Sequence, residues 1–215
     1  MSDEQGGERL RLDRGLDALG LVPGEAAREQ LLEYLDQLRH WGKTYNLVAP
    51  GDMPWLLERH LFDALSIAPW CGPGPLLDVG TGAGFPGLPL AILVPKRQTI
   101  LIDGAGKKIR FLRHVIRQLS LDQVEAVHER VECFATASGF DTITSRAFSS
   151  LADFAGGVRH LAGPDTRLLA MKGRAPTAEL AELPGDISVE AVEPVRVPGL
   201  EAQRHLVILR VTANQ

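Results

Sequence analysis

The stretch Leu76-Leu77-Asp78-Val79-Gly80-Thr81-Gly82-Ala83-Gly84-Phe85-Pro86-Gly87 restricts what this chain can fold into more than any other. Leu76, Leu77 and Val79 form the short apolar run of a strand covered on both faces. Gly80, Gly82 and Gly84 then let the backbone turn sharply and approach a ligand with no Cβ in the way. Pro86 suits the first turn of a helix, where its missing N–H is no loss. A strand, a glycine turn and a helix N-terminus in this order make a nucleotide cradle in an α/β protein.

Two nucleotide classes compete for that cradle. Gly82-x-Gly84-x-x-Gly87 satisfies the dinucleotide fingerprint in a register shifted by two residues, which keeps a NAD-binding oxidoreductase or a nucleotide-sensing module open. Asp78 weighs the other way. A carboxylate at the strand's end, ahead of the glycines, would repel a pyrophosphate but accept hydrogen bonds from a cationic, phosphate-free ligand. S-adenosylmethionine, with a sulfonium and an ammonium, is such a ligand, and Asp78-x-Gly80-x-Gly82-x-Gly84 resembles the first motif of the Rossmann-like methyltransferases. Asp103 ends the next strand, where an acidic residue takes the ribose hydroxyls of a bound adenosine. Capping the helix that follows is the alternative role for it.

Around this centre the rest of the chain falls into three parts. Residues 1–24 form an acidic, partly disordered segment, with Leu10, Leu12, Leu16 and Leu19 marking a short helix. Residues 25–70 form a helical extension. In it Leu31, Leu35, Leu38 and Trp41 make an apolar stripe from Glu25 to about Tyr45, and Pro54 opens a further helix to about Ala68. Arg59 and Asp63, four apart on that helix, are placed to pair. From residue 71 to 215 strands and helices alternate. Strands are expected at Leu76–Val79, Gln98–Asp103, Gln123–His128, Phe140–Ser145, Arg167–Lys172, Ile187–Val197 and Arg204–Val211. Helices are expected at Pro86–Val94, Gly106–Leu119, Ser150–Leu161 and, briefly, Arg130–Thr136. The sum is a Rossmann-like α/β fold, a seven-stranded, mostly parallel sheet with an antiparallel edge strand and an N-terminal helical extension.

Composition narrows the partners. With 215 residues and 45% hydrophobic content the chain can bury one ordinary core. It has no run of 18 apolar residues and no signal-like N-terminus, so no membrane partner is expected and a cytoplasmic protein is. Cys71 and Cys133 lie far apart without metal-ligand spacing, which points to reduced thiols and no metal. The net charge of −4 is unevenly spread. Residues 1–36 are acid-rich, whereas residues 96–117 carry seven bases against Asp103 alone. Lys107, Arg110, Arg113 and Arg117 leave the apolar side of the Gly106–Leu119 helix. They form either a solvated face or a phosphate-binding strip for RNA.

The loop after the fourth strand, Thr144-Ser145-Arg146-Ala147-Phe148, faces the reactive end of the methyl donor in this architecture. It lacks the Asn/Asp-Pro-Pro-aromatic pattern needed to methylate exocyclic amines, and neither cysteine has the setting of a pyrimidine-C5 nucleophile. What remains is attack by a lone pair that carries no proton, such as a purine ring nitrogen. That chemistry needs alignment and electrostatics rather than a general base.

Several motifs in order then resemble one family. They are Trp41-x-x-x-Tyr45-Asn46-Leu47, Arg59-His60-Leu61-x-Asp63-x-Leu65, the glycine stretch, Lys107-Lys108-x-Arg110-Phe111-Leu112, Ser145-Arg146-Ala147-Phe148 and Arg204-His205-Leu206. From about residue 25 to 211 the chain is similar to the RsmG family, formerly glucose-inhibited division protein B. The resemblance implies N7 methylation of a guanine in small-subunit (16S) ribosomal RNA, with S-adenosylmethionine as donor and ribosomal RNA or the small-subunit particle as partner. It also implies donor contacts at Gly80, Phe85, Val131, Glu132 and Arg146. RNA or active-site roles follow by the same likeness for Asn46, His60, Arg130, Arg146 and Arg204. Many members have Ser where this chain has Gly104. A small-molecule or protein methyltransferase of the same fold is the alternative.

Overall fold

The computed structural model describes residues 2–146 and 148–212, so Ala147 of the Ser145–Phe148 motif lies outside the described residues. The chain opens on helix α1 (Ser2–Ala18), where a partly disordered segment with a short helix was expected, and continues into α2 (Glu25–Tyr45). Leu12 and Leu16 of α1 and Leu31, Tyr34, Leu35 and Leu38 of α2 are fully buried, at the three- and four-residue steps of one helix face. Four acids of this region are ion-paired within it. Arg39 pairs with Glu8 and Asp36, Arg9 with Asp13 and Glu25, and Arg28 with Asp13.

Residues 50–70 correct an expectation. In place of one helix from Pro54, the chain makes a 3-10 turn at Pro50–Trp55, a π-helical turn at Leu57–Phe62, the short α3 (Asp63–Leu65) and a second 3-10 turn at Ala68–Trp70. In a π turn the hydrogen bonds run from i to i+5, so residues four apart no longer stack. Arg59 and Asp63 accordingly do not pair. Arg59 donates to Asp52 at 2.5 Å, and Asp63 turns inward to receive Arg204 at 2.8 Å.

The sheet follows the expected pattern. Its strands are β1 (Leu76–Val79), β2 (Thr99–Asp103), β3 (Val124–His128), β4 (Thr142–Ser145), β5 (Arg167–Lys172), β6 (Ile187–Pro194) and β7 (His205–Val211). The order is β3-β2-β1-β4-β5-β7-β6. β1 to β5 are parallel neighbours, and β7 runs antiparallel to both β5 and β6. The closing pair is thus a hairpin at the sheet's edge, but the reversed strand lies inside it and β6 forms the rim.

Apolar residues of alternate strand positions divide between two faces. Leu101 joins α2, α4 (Gly87–Leu93) and α5 (Gly106–Gln118) in one core. Leu77, Val79, Ile143 and Leu168 join α6 (Leu151–Val158) in another. Ser150 caps α6 by accepting from Asp153 N–H at 3.0 Å. The brief helix expected at Arg130–Thr136 is only a hydrogen-bonded turn, because Val131 and Phe134 are both drawn into the second core and so short a helix has little stability of its own. A short α7 (Thr177–Ala181) fills the connection after β5. Sheet order reverses between β1 and β4, and at such a switch point the carboxyl ends of the strands leave a crevice.

Candidate active site

The glycine turn at the end of β1 is held by two carboxylates. Gly80, Gly82 and Gly84 all have positive φ (67°, 62° and 112°), which an L-residue with a Cβ adopts only under strain. Asp78 lies behind the turn with no exposed surface. Its Oδ2 accepts from Thr81 Oγ1 at 2.7 Å and from Gly87 N–H at 2.8 Å, while its Oδ1 has no partner. Burial pushes the Asp78 carboxyl up to about 7, against those two hydrogen bonds, which favour the charged form. Asp78 was expected to meet the ligand directly. The structure instead makes it the fastening of the turn, with one unpartnered oxygen whose charge a nearby cation would stabilise.

Asp103 reaches across from β2. Its Oδ2 accepts from Gly82 N–H at 2.9 Å and its Oδ1 from Ala105 N–H at 2.7 Å. It therefore ties the loop after β1 to the loop after β2 and does not cap α5. In front of these loops is a cavity of about 360 Å³, lined among others by Gly80, Asp103, Arg130, Val131, Glu132 and Phe148. A Cβ added to Gly80 would meet no atom within 4 Å, which is the open space a ligand needs at the turn.

A second cavity, about 510 Å³, opens at the ends of β4 and β5. Its wall carries Arg59, His60 and Asp52 from the residue 50–62 turns, Arg146 from the loop after β4, Lys172 from β5, and Arg204 next to β7. Asp63 organises it. This carboxylate, with 5% side-chain exposure, receives Arg204 Nε at 2.8 Å and faces Arg146 Nη1 at 3.5 Å. Lys172 is paired with Glu179 at 2.8 Å, and Glu179 also accepts from Leu151 N–H, which pins α7 to the start of α6. Phe85 packs against Arg146 and His60 of that wall. Arg146 Cζ lies 5.1 Å above its ring, and the rings of His60 and Tyr34 each lie 5.3 Å from it. Burial, helped by the charge of Arg146, lowers His60 to about 4, so its imidazole is neutral at pH 7. Neither ring nitrogen of His60 has a hydrogen-bond partner, Nε2 standing 3.7 Å from Asp52.

The loop after β4 joins the two cavities, sending Arg146 into one and Phe148 into the other. Of the expected donor contacts, Gly80, Asp103, Val131 and Glu132 line the first cavity, whereas Gly82, Gly84 and Phe85 line neither cavity and Arg146 faces the second. Arg130 lies on the first cavity with 80% of its side chain exposed, near Glu132, and not beside His60 and Arg146. Asn46 lines neither cavity. It is the left-handed C-cap of α2 (φ 49°), a local conformation that Asn tolerates, and it does not join the other candidate catalytic residues. Lys107 and Arg110 are exposed on α5 without an ion pair, while Arg113 donates to Ala126 O at 3.0 Å. Asp52, Asp63 and Lys172 were not singled out as site residues, although Asp63 stands inside the Arg59–Leu65 motif. Cys71 is half-buried, and desolvation raises it to about 11, which keeps it an inert thiol. Among the described residues no group of His, Cys, Asp and Glu could hold a metal, and no helix is long and apolar enough to cross a membrane.

The sequence matches the family model described as "GidB: rRNA small subunit methyltransferase G" over residues 27–207. It is 53% identical over 203 residues to a Ribosomal RNA small subunit methyltransferase G of Pseudomonas aeruginosa, covering 94% of this chain and 95% of the relative. Among solved structures, the glycopeptide N-methyltransferase MtfA in complex with S-adenosylmethionine superposes with a TM-score of 0.60 at 16% identity, over 72% of this chain and 88% of that one. A SAM-dependent methyltransferase from Aquifex aeolicus gives 0.57 at 22% identity, over 74% and 94% of the two chains.

Proposed function

The chain belongs to the rRNA small subunit methyltransferase G family, and on that premise we propose that it methylates N7 of a guanine in small-subunit (16S) ribosomal RNA. S-adenosylmethionine is the donor, and when bound it supplies an electrophilic methyl group on a sulfonium. The first cavity suits it. Asp103 would take the ribose, Val131 and Glu132 the adenine, and the Gly80 turn the chain that leads to the sulfonium. The buried, unpartnered oxygen of Asp78 behind that turn favours a cation in front of it.

The second cavity would receive the acceptor base, and the observation that supports the choice of N7 is that among the described residues lining it none is a competent base. Asp52 is engaged by Arg59 and Asp63 by Arg204 and Arg146. His60, lowered to about 4, is too weak to take a proton from an exocyclic amine at neutral pH. N7 of guanine offers a lone pair and no proton, so alignment suffices. Its methylation leaves a positive charge on the ring. Arginines whose charge is shared with Asp63 disfavour that charge less than free ones would, and they remain able to hold phosphates or the guanine O6 edge. Neutral His60 lines the cavity with its two unpartnered nitrogens buried, so it shapes the wall against which the base is held without adding charge there. Lys107 and Arg110 on α5 supply non-specific phosphate contacts outside the cavity.

Primer extension after borohydride–aniline cleavage tests this. Small-subunit RNA from cells lacking the protein should lose one cleavage stop, restored by the wild-type chain. An unchanged pattern would overturn the assignment.

A further inference from the structure

We infer that Trp55 is a stacking platform for a nucleobase adjacent to the target guanine, at the mouth of the acceptor cavity. The inference rests on the proposed RNA substrate. Trp55 ends the Pro50–Trp55 turn, a segment with no buried residue. Among the described residues it is the one aromatic counted with the exposed large hydrophobics, at 47%. Phe85, by contrast, is buried to 2%, and Phe148 packs on Phe154 at 5.5 Å beside the donor cavity. Neither of those rings is free to receive an RNA base from solvent on the acceptor side.

The indole is also held in place. Arg59 Cζ lies 5.6 Å from the ring centroid, a cation–π arrangement, and Arg59 is fixed in turn by its bond to Asp52. Asp52 and Arg59 both line the acceptor cavity, but Trp55 does not. The ring is therefore continuous with the cavity wall yet outside it. A guanine inserted into the cavity beside Arg59 would leave its neighbour in the strand over this ring. Charge suits the same occupant, because the cavity wall carries Arg59, Arg146, Lys172 and Arg204 against Asp52 and Asp63, with His60 neutral. Unpaired bases in folded RNA are commonly bound on aromatic rings and guanidinium planes, and here the two occur together.

The test uses the full chain, tritiated donor, and small ribosomal subunits from cells lacking the protein. Trp55→Ala should raise the KM for the subunits by about 5- to 150-fold, the span of one base–aromatic stack. Trp55→Phe should recover most of that loss. Affinity for S-adenosylhomocysteine, measured on both variants, reports an intact fold. The increase should persist from low to high salt, because stacking is not a counterion effect. A KM equal to wild type in Trp55→Ala, or a defect that disappears at high salt, overturns the platform while leaving the enzyme assignment intact. Failure of the wild-type chain to transfer methyl to any subunit RNA overturns the assignment itself, and the platform with it.

Discussion

Asp63 shows how much one side chain can organise. It is almost fully buried, and it draws two arginines from distant parts of the chain into one cavity. Asp63→Ala leaves both guanidinium groups without their counter-charge. Urea unfolding should show a loss of about 3–5 kcal/mol, the usual effect of breaking a buried pair, and methyl transfer to RNA should fall with it. Two other buried groups titrate in one window with opposite signs. Asp78 has a folded pKa near 7, above its unfolded value near 3.8, so its contribution to stability declines as pH rises from about 4 to 7. His60 has a folded value near 4, below 6.5 unfolded, so its contribution grows as pH rises from about 4 to 6.5. In wild type the two offset each other. Asp78→Asn removes only the first, so its urea midpoint relative to wild type should climb between pH 5 and 7.5; a constant difference would rule out the raised Asp78 pKa. Cavity-lining residues were legible where a motif tied them to a strand end, as with Gly80 and Asp103 on the first cavity and Arg146 on the second. Asp52 and Lys172 were not, because what brings them to the site is packing between segments far apart in sequence.

At the scale of elements, a buried hydroxyl of the helical extension is bonded to the glycine loop after β1. Tyr34 of α2 donates to Ala83 O at 2.8 Å, and a Cβ on Gly84 would fall 3.0 Å from the Tyr34 hydroxyl oxygen and 2.9 Å from Leu112 Cδ2. Tyr34→Phe leaves the Ala83 carbonyl buried and unpaired, at a cost of about 1–3 kcal/mol. Calorimetric titration with S-adenosylhomocysteine should show weaker binding, although Tyr34 lines neither cavity. Gly84→Ala, which combines a φ of 112° with those contacts, should abolish binding in the same titration. The strands were readable to within a residue or two at most ends because each is a short apolar run bounded by turn residues. The π turn at Leu57–Phe62 was not. Leu57, Leu61, Ala64 and Leu65 satisfy an α-helical stripe equally well, and the wider winding is visible only once Arg59 is seen on Asp52 and Asp63 on Arg204.

For the whole molecule, charge and topology decide different things. The overall charge of −4 conceals a segregation: Glu8, Asp13, Glu25 and Asp36 are paired with arginines of the first two helices, whereas among the described residues Lys107 and Arg110 make no ion pair on α5. Replacing both by Gln should reduce the slope of log affinity against log salt for subunit RNA by roughly 1.4–1.8, at 0.7–0.9 per lost phosphate contact. A filter-binding series in KCl measures it, and an unchanged slope would make that face mere solvated surface. The parallel order β3-β2-β1-β4-β5 was foreseeable from strand–helix alternation, whereas the insertion of β7 inside the final hairpin was not, since hairpin partners carry no mark of which lies outermost. That insertion has a kinetic corollary. The cavity proposed for the donor is drawn from the middle of the chain, but Asp63 meets Arg204 across 141 positions, beside a strand whose pairing is complete only once both β5 and β6 are in place. During folding, the capacity to hold a methyl donor should arise before the capacity to accept a base, so a half-formed molecule stays idle rather than indiscriminate.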